Sequence, residues 1–307
     1  MAKFIVVTPP FAGNSFGIKT LHHLAHTLNE VGHDARLMFM AVDAAGNQRF
    51  GYLGPEATHP AYRTPPLKPA DGFADETCIV VYPEIVSSNP LGGTRVVRYF
   101  LNAEAKVTGR KIALSARDFL LAFHRIYRPE AQFILNDVEF NPAFNARGTR
   151  PIGERTLDLT YVGKGDKYGA VKTIAGSVLI TREWPANQTQ LAALLRQTRF
   201  LYTWDAVSAI NPEAVLCGAM PVFLRYDPIT REEVDATDLG PLPRLDAGMK
   251  NFRFDPAEFE RGRAALAARI EEIRRNWSGR VAEFAEAAVA HFTAEAVPGL
   301  ESAVSSQ

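Results

Sequence analysis

The stretch YTWDAVSAINPEAVLCGAMPV, Tyr202 to Val222, leaves an apolar segment at a lone Asp205, reaches Glu213 eight positions later and ends in Cys217, Gly218 and a Pro-led apolar segment. Asn211, Pro212 and Glu213 spell a helix start, with Asn as N-cap, Pro at the first helical position and an acid in the first turn. That reading accounts for Glu213 without a ligand, but it leaves Asp205 unexplained. Working outward, LDLTYVG, SVLITR, RFLYTW and MPVFL read as strands, and QTQLAALLRQT and PEAVLCG as helices. Strands alternating with helices predict a parallel α/β sheet around the quoted stretch.

The first half of the chain repeats the plan. KFIVVTPP reads as a buried strand, residues 17–31 as a helix with Ile18, Leu21, Leu24, Ala25, Leu28 and Val31 on one face, and EVGHDARLMFM as a helix stop followed by a second strand. CIVVYPEIV is a third strand, residues 94–102 a helix, and RKIALSA and AQFILND further strands. Residues 46–75 are rich in Gly and Pro and predict irregular surface structure. Residues 141–155, polar with Pro and Gly, suit a linker between domains, and a long amphipathic helical region broken near Gly279 closes the chain. The domains expected are residues 1–150, 151–255 and a helical segment over 256–307.

Composition narrows the partners. The 307 residues carry 34 basic and 34 acidic side chains, so no net field draws in nucleic acid, and none is expected as a partner. The two cysteines, Cys78 and Cys217, lie in apolar surroundings, which suits buried thiols of a reducing, cytoplasmic setting. The apolar segment after Lys3 is too short for a signal-peptide core, and no stretch approaches the roughly 20 apolar residues of a membrane span. A peripheral membrane contact stays open.

With its D-x7-E element, DAVSAINPE, running into a helix, a Gly and a Pro-Val strand, the chain resembles glycosyltransferases of the GT-B type. Many retaining members of that family carry E-x7-E at this place. The resemblance implies two Rossmann-like domains facing across a cleft, with the C-terminal helix crossing back to the N-terminal domain. It implies that Glu213 binds the ribose hydroxyls of a nucleotide-sugar donor, since one carboxylate accepts from both hydroxyls of a vicinal diol, and that Asp205 lies near the donor sugar, with a leaning toward retention of configuration.

Other donor-side candidates are cations that meet a departing diphosphate. YVGKGDKYG sets Lys164 between Gly163 and Gly165 at a strand end, where a ligand approaches the backbone closely. Arg182 ends another strand and offers a fork for two phosphate oxygens, and Ser208 stands between the paired acids. For the acceptor, TPPFAGNSFG carries Asn14, Ser15 and Gly17 just before the first helix. Glu84 stands at the carboxyl end of a strand as a general base or hydroxyl contact. Surface pairing of Arg182, loop turning by Ser208 and solvation of Glu84 are the plain structural alternatives.

The chain has no G-x-G-x-x-G and no P-loop, so neither an NAD fold nor a nucleotide triphosphatase is indicated. His22 and His26 stand four apart on one helical face, but no third ligand accompanies them, and no metal or other cofactor is expected. His124 reads as packed. The function expected is transfer of a sugar from a nucleotide-sugar to a glycan or lipid-linked acceptor, as in surface polysaccharide assembly. A nucleotide-sugar 2-epimerase and a non-catalytic sugar-nucleotide-binding subunit are the alternatives.

Overall fold

A computed structural model describes residues 1–43, 47–68, 75–138, 140–169, 171–181, 183–226, 229–247 and 254–294. By internal contacts the chain divides into unit 1, Met1–Asn136 with Asn276–Gln307, and unit 2, Asp137–Arg275.

Unit 1 is built on β1 (Lys3–Thr8), α1 (Phe16–Glu30), β2 (Asp34–Val42), β3 (Gln48–Gly51), β4 (Ile79–Pro83), β5 (Arg95–Phe100), β6 (Phe119–Ala122) and β7 (Phe133–Ile134). These strands form one sheet in the order β3-β2-β1-β4-β5-β6-β7, parallel except for the β2–β3 pair. Alternation along each strand separates two cores. Phe4, Val6, Leu37, Val81, Val97 and Tyr99 turn to the face covered by α1 and by the end of a last helix, α5 (Pro256–Ala294). Ile5, Val7, Met38, Val80, Tyr82 and Val96 turn to the other, where Leu67 and Val86 from loops join them.

Unit 2 holds β8 (Leu157–Tyr161), β9 (Val178–Ile180), α2 (Gln188–Gln197), β10 (Thr198–Thr203), α3 (Ile210–Leu216), β11 (Met220–Phe223), α4 (Arg231–Asp235) and β12 (Leu245–Asp246). The sheet is parallel throughout, in the order β12-β11-β10-β8-β9. Numbered from its first strand this is the doubly wound 2-1-3-4-5 order, whose direction of winding reverses beside β8. The fold class read from the sequence, α/β with two Rossmann-like sheets, is the one the structure has.

Three local expectations are corrected. Residues 94–102 hold strand β5 rather than a helix. Val97 and Tyr99 face one core and Val96 the other, so the period is two, and the spacing of Arg95 and Arg98 only mimicked a helical polar face. RKIALSA forms no strand; Ile112 is its one buried side chain, and the strand lies just after it as β6. The closing helix is unbroken through Gly279, because Phe259, Leu266, Ile270, Trp277, Val281, Phe284 and Ala288 form one buried stripe at helical spacing while Gly279 is exposed. Trp277 pins the helix end in unit 1 by donating from Nε1 to Thr27 Oγ1 at 2.8 Å and stacking on His23 at 5.0 Å.

Neither histidine of the four-apart pair is spare. His22 is wholly buried with Nε2 3.2 Å from the Pro9 carbonyl oxygen, and its Nδ1 has no hydrogen-bond partner among the described residues. His26 accepts the Arg63 N–H at Nδ1, 3.0 Å, and lies 3.3 Å from Glu30 at Nε2. Among the described residues no three His, Cys, Asp or Glu side chains gather as a metal set. Burial pulls the His22 imidazole down to about 4, so it is neutral in the fold at neutral pH. The unfolded chain binds a proton near pH 6.5, hence stability falls as pH drops from there toward 4. Between pH 7 and pH 5 the loss from this group is expected to be about 2 kcal/mol, since each tenfold difference in proton affinity between folded and unfolded chain is worth about 1.36 kcal/mol. Urea denaturation at the two values reads it, and His22→Phe, which keeps a ring against Phe11 and Phe39, should remove that share of the pH dependence.

Candidate functional site

Open parallel sheets bind ligands outside the carboxyl ends of the strands where the winding reverses. In unit 2 that place lies between β8 and β10, and both strands leave the sheet there through short loops. Gly163, Lys164 and Gly165 follow β8, and Trp204 and Asp205 follow β10. The two loops are bonded together. The Asp205 carboxylate accepts the Lys164 N–H at 3.1 Å, and the Trp204 N–H donates to the Tyr161 carbonyl at 3.0 Å.

This close approach explains the two glycines. Gly163 has φ +57°, and a Cβ there would meet Tyr161 Cε1 at 2.6 Å and Asp205 Oδ2 at 2.9 Å. At Gly165 a Cβ would overlap the Trp204 carbonyl oxygen and lie 2.6 Å from the Trp204 Cβ. The sequence signal of a Lys between two glycines therefore marks a tight contact between neighbouring strand exits.

Asp205 is only 7 % exposed and Glu213 only 5 %. They are joined by a short connection whose geometry corrects the helix-start reading. Ala209 is the N-cap of α3, and Asn211 lies inside the helix. Wholly buried, Asn211 donates from Nδ2 to the carbonyls of Asp205, 2.9 Å, and Ala206, 3.0 Å. The Asn211 amide thus ties the helix to the preceding turn by donating to its carbonyls rather than by capping helix N–H groups, and the sequence pattern misled by two positions. Ser208, half-buried, donates its N–H to the Asp205 carbonyl at 3.2 Å.

The far end of α3 is equally determined. Gly218, φ +76°, follows the C-cap Cys217. Its N–H reaches Val215 O at 2.8 Å and the Ala219 N–H reaches Ala214 O at 2.9 Å, the paired bonds of a Schellman ending. The buried Arg155 donates to Gly218 O at 2.7 Å, Thr198 O at 2.9 Å and Arg150 O at 2.8 Å. Burial lowers the pKa of that guanidinium. Cys217, and Cys78 in unit 1, have thiols pushed up to about 12 by burial, so neither supplies a thiolate nucleophile at neutral pH.

The acceptor-side candidates fall in unit 1, at the corresponding reversal between β1 and β4. Asn14 is exposed, Ser15 is the N-cap of α1 without a side-chain capping bond, and Gly17 is in the first turn. Glu84 follows β4 directly and is 5 % exposed. Its two oxygens accept from the Leu101 N–H and from Asn102 Nδ2, each at 3.1 Å, so it braces the exits of β4 and β5. Arg182 lies outside the described residues. His124 packs edge-on against Phe123 at 4.7 Å.

Sequence reasoning passed over Arg225, which leaves β11 at the same edge and lies over the Trp204 ring at 4.9 Å. A single charge after the strand MPVFL gives no motif to find it by.

No protein-family model matches the chain, and no curated protein is similar to it in sequence. Solved structures of similar architecture include an alpha-glucosyltransferase in complex with UDP and a 13-mer DNA containing a HMU base, at 9% identity, covering 91% of this chain and 94% of that one with a TM-score of 0.39. An alpha-glucosyltransferase in complex with UDP and a 13-mer DNA containing a central A:G mismatch is similar at 10% identity over 95% of each chain, TM-score 0.40. Sucrose-phosphate synthase from Thermosynechococcus elongatus is similar at 8% identity over 96% of this chain and 98% of its own, TM-score 0.43. The expectation that excluded nucleic acid is overturned, since two of these glucosyltransferase structures hold DNA. A balanced charge is a sum over the whole chain and says nothing about local surfaces. Among the described residues no helix is long and apolar enough to cross a membrane. This chain has two doubly wound sheets, one in each unit, parallel except for the β2–β3 pair of unit 1.

Proposed function

We propose that the protein is a glycosyltransferase that takes its sugar from a nucleotide-sugar bound at the β8–β10 reversal of unit 2. The observation that carries this reading is the bonded pair of loops there, Gly163–Gly165 and Trp204–Asp205, with a second buried carboxylate, Glu213, on the helix that follows. In this reading Glu213 accepts from the ribose hydroxyls and Asp205 sets the loop beside the sugar. Lys164, Ser208 and Arg182 serve the phosphates. Unit 1 receives the acceptor at its own reversal, with Asn14, Ser15 and Gly17 on one side and Glu84 toward the acceptor hydroxyl. The acceptor is proposed to be a glycan or lipid-linked saccharide of surface polysaccharide assembly, in the cytoplasm, and the reaction is proposed to need no metal or other cofactor.

Titrating UDP, GDP, CMP and dTDP calorimetrically into the full chain tests the donor. One of them should bind, and Glu213→Ala should weaken it at least about tenfold, the loss of charge-assisted bonds to a diol. Equal binding by the variant, or none by the native chain, removes the assignment.

A further inference from the structure

We propose that Arg225, which lies over the Trp204 ring, is an anion-binding group of unit 2 placed to hold the diphosphate of a nucleotide. The identity of that ligand rests on the function proposed above, whereas the site rests on geometry.

Three backbone amides of the β8 loop are already committed. The Lys164 N–H donates to Asp205, the Gly165 N–H to Val162 O at 2.9 Å and the Lys167 N–H to Lys164 O at 3.2 Å. These amides point into the loop, so this is not a cradle of outward N–H groups, and the nearest carboxylate, Asp205, is itself negative. A side-chain cation at this edge would supply an anion with what these three amides do not.

Arg225 is built into place from three sides. Leu224 continues the β10–β11 ladder through its N–H to Thr203 O at 2.9 Å, so the chain enters Arg225 from a fixed position. On leaving, Tyr226 accepts from Arg244 Nε at 2.7 Å and is also bonded to Asp246. The guanidinium lies over the indole of Trp204, whose Nε1 is tied to the Lys172 carbonyl at 3.0 Å. The third side is backbone: Gly169, φ +137°, would bring a Cβ within 2.9 Å of Arg225 Nη1.

The absence of that one methyl group lets the fork lie against the chain. A guanidinium over an aromatic face is attracted by the ring, and its planar fork matches paired phosphate oxygens. It sits half-buried at the carboxyl edge, one strand from Asp205 and two from Lys164.

The test titrates inorganic pyrophosphate, UDP, GDP and dTDP, and the matching nucleosides, into the full chain as native protein, Arg225→Gln and Arg225→Lys, with thermal melting to verify folding. Arg225→Gln should weaken the diphosphates about 10–100-fold, the range of lost charged hydrogen bonds, and leave nucleoside affinity unchanged. Arg225→Lys should fall between, since an ammonium keeps the charge without the fork. Diphosphate binding by Arg225→Gln equal to native overturns the inference while the nucleotide reading survives. Pyrophosphate binding that depends on Arg225, with no nucleotide bound, overturns the nucleotide reading and keeps the anion site. No binding of any of these probes to the native chain overturns both.

Discussion

Asp118→Ala is expected to destabilise the protein by about 3–5 kcal/mol, the usual cost of leaving one partner of a buried ion pair uncompensated. Arg98 is 2 % exposed and Asp118 7 %. Arg98 Nε donates to Asp118 Oδ2 at 3.0 Å, and Nη1 donates to the carbonyls of Ser88, 2.9 Å, and Val86, 3.3 Å. The guanidinium also lies over Tyr82 at 5.0 Å, and Asp118 accepts the Ser115 N–H at 3.2 Å.

The pair thus joins the loops after β4 and before β6 through a charge sitting in β5. With the carboxylate gone, a buried guanidinium keeps two neutral acceptors and loses its countercharge. Replacing both members, as Arg98→Met with Asp118→Leu, removes the stranded charge and should recover at least half of the loss, because buried pairs are often near neutral against apolar residues of similar volume. Urea midpoints at constant slope measure both variants. An Asp118→Ala protein as stable as the native one would show that water reaches Arg98 and that the pair is not truly buried.

The same residues show how far sequence reasoning extends. The alternation of elements in unit 2 was legible because each strand is a short apolar segment bounded by Gly, Pro or polar residues, and each helix has its own apolar face. β5 was not, because a charge at Arg98 in the middle of a buried strand breaks the strand pattern, and its compensation by Asp118 lies twenty residues on. The closing helix was legible in type but not in continuity. A glycine signals a break only when the flanking residues do not continue one buried stripe.

In the candidate site, Lys164 and Asp205 each stood out locally, one between glycines and the other at a strand exit. Their contact depends on the parallel register of β8 with β10, Tyr161 opposite Thr203, which no local pattern encodes. Arg225 carried no local signal, since its significance comes from the Trp204 ring beneath it and from the bare backbone at Gly169.

The register gives the second large effect. Gly165→Ala should cost about 3 kcal/mol, at the upper end for overpacking, because the added methyl meets main chain rather than a movable side-chain tip. The obstructing atoms are the Trp204 carbonyl and Cβ, in the loop next to Asp205. Relief requires the β8 and β10 exits to separate, and separation breaks the Lys164–Asp205 hydrogen bond and shifts the indole under Arg225.

A variant of this kind should therefore lose anion and nucleotide affinity beyond its loss of stability, measured below its melting temperature where the chain is folded. Gly279→Ala is the matched control. Its methyl meets nothing within 4 Å on the exposed side of α5, and removing a helical glycine there should add about 0.5–1 kcal/mol of stability with no change in ligand affinity. If Gly165→Ala matched Gly279→Ala in both readouts, the two strand exits would not be held together as the structure has them, and the site proposed for unit 2 would lose its frame.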